Sequence, residues 1–319
     1  MTTTSRRRPA ALALALVAGL ALAACSATAD GASGGAQAAT RTVDSEFGEV
    51  ELPTDPQAAL GFYTTDVDIL ATLGIPLASS QPVRDGYTGF PAFFPQDALA
   101  DVDTFVNFPE YSYEAVMAAA PDLILNGLGY DEEAVQRLAE IAPTYSVNAF
   151  DGADWRDKFR TTAAALGRTE QADAWFARYD ARVAEVREQL DARGIHPRVA
   201  AIGWWNDQLQ LSCYGVPCLV FADLGLDITP LALQEGAALS LEQVDQLADV
   251  DVAVRSYEPG PAGEAADAET LRTLATSQVW SSLPFVAEDR YFRYDLEMDY
   301  GSPSGHAAFL EFLADSLLG

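Results

Sequence analysis

Apolar residues fall at every third or fourth position between Thr169 and Arg193, at Ala172, Trp175, Phe176, Tyr179, Val183, Val186 and Leu190, with no glycine or proline among them. That period belongs to one amphipathic helix. Thr169 is placed to cap its start, and Gly194 and Pro197 to end it. At 1.5 Å per residue the helix is about 37 Å long, the diameter of a small domain, so it can join two bodies. The chain repeats a pattern on either side. Ser112-Tyr-Glu114-Ala-Val116 leads into Leu123-Ile-Leu125, and Ser240-Leu-Glu242-Gln-Val244 leads into Val250-Asp-Val-Ala-Val254. Each copy reads as a serine-capped helix followed by a short buried strand.

Elsewhere in the first half, Asp44 to Leu52 alternates as an edge hairpin does. Ala58 to Tyr63 reads as a strand, Asp66 to Leu73 as a helix closed by Gly74, and Pro76 to Ser79 as a second strand. From Gln81 to Phe108 the pattern dissolves into an aromatic, breaker-rich stretch that reads as a long loop, either functional or a cover over the core. Helices follow at Asp131–Ile141 and Asp154–Leu166, around a strand at Thr144–Val147. In the second half, Val199 to Gly203 opens as a buried strand ending at Trp204-Trp205. Phe221–Leu224 is a short helix, Glu258–Ala268 an acidic surface loop, Leu271–Leu283 a helix, Tyr291–Tyr294 a strand and Ser304–Leu318 a closing helix. Strands alternating with helices in both halves predict an α/β protein: two Rossmann-like lobes with mostly parallel sheets, joined by a single long α-helix, with a ligand cleft between them. The boundaries are 44–168 for the N-terminal lobe, 169–194 for the helix and 195–319 for the C-terminal lobe.

Charge and cysteines then address the chain. Arg6, Arg7 and Arg8 precede an apolar run from Ala10 to Leu22, too short to stay in a membrane, and Leu22-Ala-Ala-Cys25 follows. This resembles a lipoprotein signal peptide over 1–24, with Cys25 lipidated and 25–43 serving as a small, polar tether. Ser5-Arg6-Arg7 is similar to a twin-arginine start but is broken by Arg8-Pro9, so both export routes stay open. Removing three arginines and no acids leaves 16 basic against 47 acidic residues, a net charge of −31. Such a surface offers no basic stripe for nucleic acid or anionic lipid, so membrane contact falls to the lipid on Cys25. Cys213 and Cys218 either close a small loop as a disulfide or lie buried as thiols. The only histidines are His196 and His306, so a protein-held metal is a poor fit. Gly301-Ser-Pro-Ser-Gly-His306 carries Pro303 where a nucleophile elbow needs its serine, and no haem- or cluster-binding cysteine motif exists. Neither a hydrolase nor an electron carrier is favoured.

Ligands of open α/β sheets bind beyond the carboxyl ends of the strands. Those ends carry Tyr63 and Thr64 in the first lobe, and Trp204, Trp205, Arg255 and Tyr257 in the second. The breaker-rich stretch adds Arg84 and Tyr87. Rings with arginines suit a large, partly apolar ligand bearing oxygen acceptors, although any single aromatic serves equally well as core. Glu114 and Glu242 either complement a helix dipole or form a matched acidic pair, one per lobe.

Several segments together resemble the substrate-binding lipoproteins of ABC importers for ferric siderophores, haem and cobalamin, the periplasmic binding protein group with one long interlobe helix. They are the motif at Cys25, Leu60-Gly-Phe-Tyr63, Asp66-Val-Asp-Ile-Leu-Ala-Thr-Leu-Gly-Ile-Pro76, Tyr113-Glu114-Ala-Val-Met-Ala-Ala-Ala-Pro-Asp122, the long helix, and Ser240-Leu-Glu242-Gln-Val244. The resemblance implies a non-enzymatic, monomeric protein on the outer face of the cytoplasmic membrane, with Glu114 and Glu242 docking onto the permease. Its cargo would be a ferric siderophore, of hydroxamate type because family members for ferric hydroxamates use arginine and tyrosine and Arg84, Tyr87, Arg255 and Tyr257 are chemically suited, or else haem or cobalamin. Iron would be bound only within the siderophore complex, with no further cofactor.

Overall fold

The first half of the chain builds its sheet from short, fully buried strands. In the computed structural model, which describes residues 39–211, 213 and 215–319, an antiparallel hairpin of β1 (Thr40–Ser45) and β2 (Gly48–Pro53) comes first. The signal peptide, Cys25 and most of the expected tether lie outside the described residues, and β1 begins inside the stretch read as tether. Then follow β3 (Ala59–Gly61), α1 (Thr64–Thr72), β4 (Ser80–Arg84), α2 (Gln96–Leu99), β5 (Asp103–Phe108), α3 (Tyr113–Ala118), β6 (Leu123–Asn126), α4 (Glu132–Ala139), β7 (Thr144–Ser146) and α5 (Trp155–Ala165). Strands β3, β6 and β7 form a parallel sheet in that order, and β4 pairs in parallel with β5. Gly61 ends β3 where α1 turns back: a Cβ there would lie 2.4 Å from the backbone nitrogen of Val67.

The long helix α6 (Thr169–Arg193) is unbroken and buries the seven apolar residues whose spacing announced it. Arg168 takes the cap position in place of Thr169, and Gly194 leaves the helix in the left-handed conformation at φ 65°. Beyond it come β8 (Arg198–Trp205), β9 (Gln208–Leu211), α7 (Val216–Leu224), β10 (Asp227–Ile228), β11 (Ala238–Leu239), β12 (Val252–Tyr257), α8 (Pro261–Leu274), α9 (Gln278–Ser281), α10 (Pro284–Ala287), β13 (Tyr291–Asp295) and α11 (Pro303–Leu318). The second sheet runs β11-β9-β8-β12-β13, with β10 also on β8. Strands β10, β8, β12 and β13 are parallel, and β9 and β11 extend the sheet in antiparallel fashion.

Four expectations need correction. Residues 81–108 are not one loop, since β4, α2 and β5 lie there. Pro76–Ser79 contributes only a bridge from Leu77 to Ala59, and the strand begins at Ser80. The acidic stretch after Glu258 becomes helix α8 from Pro261 on, because proline at the first helical position already has its required φ and loses no hydrogen bond. The second repeat is not an α-helix: Glu242 precedes a single 3₁₀ turn, Val244–Leu247.

Helix α6 does more than separate two bodies. One core cluster runs along its buried face, from Leu52, Tyr145 and Phe159 in the first half to Val199, Phe221, Val252 and Phe309 in the second. Helices α5, α7 and α11 contribute to the same cluster, so the two sheets share a backing of packed side chains.

Candidate functional site

The carboxyl ends of the strands bring the two halves into direct contact. From the first half, the turn after β3 presents Tyr63 and Thr64, β4 ends on Arg84, and Tyr87 follows. From the second, β13 ends on Asp295 and continues into a 3₁₀ turn, Leu296–Tyr300. Arg84 Nε donates to Glu297 Oε1 at 2.7 Å, and the Thr64 hydroxyl donates to Glu297 Oε2 at 2.8 Å. Tyr87 donates its phenol proton to Asp295 Oδ1 at 3.1 Å, and Arg84 Nη2 donates to the Tyr63 hydroxyl. The Arg84 guanidinium lies 4.1 Å from the ring centroid of Tyr300 and 4.7 Å from that of Phe108. A further contact joins α1 to α11, where the Ser304 backbone N–H donates to Asp68 Oδ2 at 2.7 Å.

This ion pair is nearly closed to water, with side-chain exposures of 11% for Arg84 and 1% for Glu297. Burial pushes the Glu297 carboxyl up, against the pull of Thr64 and Arg84. Asp295 is raised chiefly by burial, and Asp299 by burial to about 6. Burial works against the charge on Arg84, but Tyr63, Tyr300 and Glu297 outweigh it and raise its pKa. The Tyr63 and Tyr87 phenols, raised by burial above all, remain hydrogen-bond groups and not proton donors to solvent.

The C-terminal candidates gather separately. Trp204, Arg255, Tyr257, Glu258 and Tyr291 line a concavity of about 180 Å³ beyond β8 and β12. Arg255 is buried there, and its guanidinium faces α8 in a two-pronged pair with Asp267 at 2.8 and 3.1 Å. The Tyr257 ring lies under Arg293 at 4.3 Å. Trp204 is half-buried, whereas Trp205 at the hairpin tip is 69% exposed. A second concavity of about 270 Å³ lies between the halves, walled by residues 86–92 on one side and by Pro259, Gly260, Pro261 and Asp295 on the other.

Tyr63, Thr64, Arg84 and Tyr87 are therefore brought together, and their partners Asp295, Glu297 and Tyr300 were missed from sequence. Glu114 is exposed as the second residue of α3. Glu242 is exposed too, its carboxyl held below the usual range by the Ser240 hydroxyl. Cys213 and Cys218 are joined as a disulfide, with Cα atoms 5.1 Å apart, at the start of α7. Among the described residues no cluster of histidine, cysteine and carboxylates is arranged to hold a metal, and no helix is long and apolar enough to cross a membrane.

Two parallel-sheet halves on one connecting helix, with strand ends facing each other, define a two-lobed binding protein. The chain belongs to the periplasmic binding protein family, whose model matches residues 62–297. It is 24% identical over 327 positions to the iron(3+)-hydroxamate-binding protein FhuD of Bacillus subtilis (strain 168), covering 96% of this chain and 95% of that protein. Among solved structures, Staphylococcus aureus SirA complexed with staphyloferrin B matches with a TM-score of 0.71 at 18% identity, over 88% of this chain and 99% of that one. A FhuD fold-family component of a Fep/Fec-like ferrichrome ABC transporter from Bacillus subtilis matches at 0.68 and 21%, over 86% and 99%. At these identities the structural matches establish a shared fold.

Proposed function

We propose that this protein is an extracytoplasmic solute-binding lipoprotein that captures a ferric siderophore of the hydroxamate class and delivers it to the permease of an ABC importer, without catalysing a reaction. The observation that carries the reading is the near full-length match to an iron(3+)-hydroxamate-binding protein. The site chemistry supports it. A hydroxamate complex already supplies every iron ligand, so the protein needs aromatic walls and hydrogen-bond donors, and Tyr87, Trp204 and Tyr257, which line the two concavities, offer both. Cys25 is the lipid attachment point in this reading, and the chain works as a monomer.

Titration with a ferric trihydroxamate, followed by tryptophan emission, tests the cargo. Quenching is expected for the trihydroxamate and should be largely lost in Trp204→Phe. Tighter binding of haem or cobalamin would move the assignment to that ligand, and silence toward all three would end it. Glu114 and Glu242, exposed on the segments that lead into β6 and β12, are the docking contacts for permease arginines. Reversing both charges to lysine should abolish uptake by cells while leaving ligand affinity within about two-fold, since surface charges far from a pocket contribute little to its affinity. Uptake at the wild-type rate would refute the docking role.

A further inference from the structure

We propose that Glu297 is a specificity determinant: by keeping Arg84 paired across the lobes, it leaves the cleft with excess negative charge and restricts cargo to ferric complexes that are neutral or cationic. The inference rests on the siderophore reading above and adds the charge class of the ligand.

The arginines at the facing strand ends are already matched by carboxylates. Arg84 pairs with Glu297, Arg255 with Asp267, and Arg293 with Glu264 and Asp267. The carboxylates there are not all matched in return. Asp295 is held by the Tyr87 phenol and Asp299 by that of Tyr294, and neither forms an ion pair among the described residues. Glu258 also forms no such pair. It reaches across to the first half, where a Cβ at Gly86 would lie 2.9 Å from its Oε1. Both concavities carry this excess, since Asp295 lines the one between the halves and Glu258 the one beside Trp204. An anionic ligand could recruit Arg84 only by displacing a carboxylate that Thr64 and Arg84 hold with short bonds inside a nearly dry contact. A neutral ligand asks for no such exchange and can use the phenols instead.

Siderophore chemistry divides along this line. Three hydroxamates cancel the charge of a ferric ion, and an ammonium group on the carrier makes the complex cationic. Three catecholates overshoot the ferric charge by three. Like charges brought together in a desolvated cleft discriminate strongly.

The test titrates the purified protein and two variants, Glu297→Gln and Glu258→Gln, with a neutral ferric trihydroxamate, one bearing a single ammonium group, and a ferric tricatecholate, at low and moderate salt. Wild type should bind both trihydroxamates at least about a hundred-fold more tightly than the tricatecholate, with a gap that shrinks as salt rises. Glu297→Gln keeps an oxygen acceptor for Arg84 while removing the charge, and should narrow the gap about ten-fold with little change for the neutral complex. If that variant is unfolded by circular dichroism, Glu258→Gln, which leaves the ion pair intact, must narrow the gap by itself. Equal affinity of wild type for the tricatecholate, a gap unchanged in folded Glu297→Gln, or, where that variant does not fold, a gap unchanged in Glu258→Gln, overturns the inference while leaving the siderophore reading standing. Failure of all three complexes to bind overturns both.

Discussion

His306 has no access to water. Its ring stacks on Trp155 at 3.7 Å, and Nδ1 lies 3.0 Å from the Ser302 carbonyl oxygen, which fixes the hydrogen on that nitrogen. Nε2 is buried with no partner among the described residues. A second proton would therefore be a buried, unanswered charge, and burial first, then the nearby Arg156, push the pKa down to about 4. In the unfolded chain the group titrates near its ordinary 6.5. As pH falls below that value the unfolded chain takes up a proton that the folded one refuses, so stability is lost between about 6.5 and 4 and is untouched above. Asp66, raised by burial to about 7, and Asp68, raised by burial to about 6, act in the opposite sense. Their contribution is present at low pH and is lost as pH rises through those values. Comparing His306→Phe with wild type cancels the carboxylates. In urea unfolding, the stability difference should move in the variant's favour by about 2 kcal/mol as pH falls from 7 to 4.5. A difference independent of pH would mean that the imidazole charges freely in the folded protein.

At the scale of elements, legibility followed the length and purity of the hydrophobic period. Helix α6 was readable to within a residue because many apolar positions hold its register, and β6 and β12 stood out as continuous apolar runs buried on both faces. Strands β4 and β5 were not readable. The first contains Pro82, which ordinarily demotes a strand, and the second exposes three of its first four residues, so neither alternates cleanly. The serine repeats show how little a local motif fixes by itself. Nearly the same residues make six residues of α-helix in α3 but only a 3₁₀ turn before β12, as expected where one turn cannot repay helix nucleation. The site divides in the same way. Tyr63 and Thr64 were singled out by their place after a strand, and Arg84 and Tyr87 by the aromatic, breaker-rich stretch that holds them. Their partner Glu297 stands 213 residues from Arg84, and nothing local announces such a pairing. The signal that could have raised it is the spacing of Asp295, Glu297 and Asp299 between Tyr294 and Tyr300, carboxylates too close to aromatic neighbours for all of them to be simply solvated.

For the whole molecule, the question is how far the halves move when cargo enters. The described residues gather into one compact unit, and three independent restraints act within it. Helix α6 has no interior glycine or proline to bend at, and bending it elsewhere would cost backbone hydrogen bonds. The core along its buried face takes side chains from both sheets, so a wide swing would separate packed surfaces. At the strand ends, Arg84 and Thr64 on Glu297, Tyr87 on Asp295 and Asp68 on Ser304 would all have to part together. Hinged clam-shell closure needs a few backbone positions that absorb large dihedral changes, and a continuous helix offers none. Small-angle scattering of the tether-free protein should accordingly give a radius of gyration near 19 Å for a chain of this size, changing by less than about 0.5 Å on saturation with a ferric trihydroxamate. Arg84→Met with Glu297→Gln separates the restraints. If the strand-end contacts alone hold the halves, this double variant will contract on binding by well over that amount. If the helix and shared core dominate, it will respond as wild type does, and that second result is the one the packing predicts. A large contraction in the wild type itself would show α6 to be a hinge.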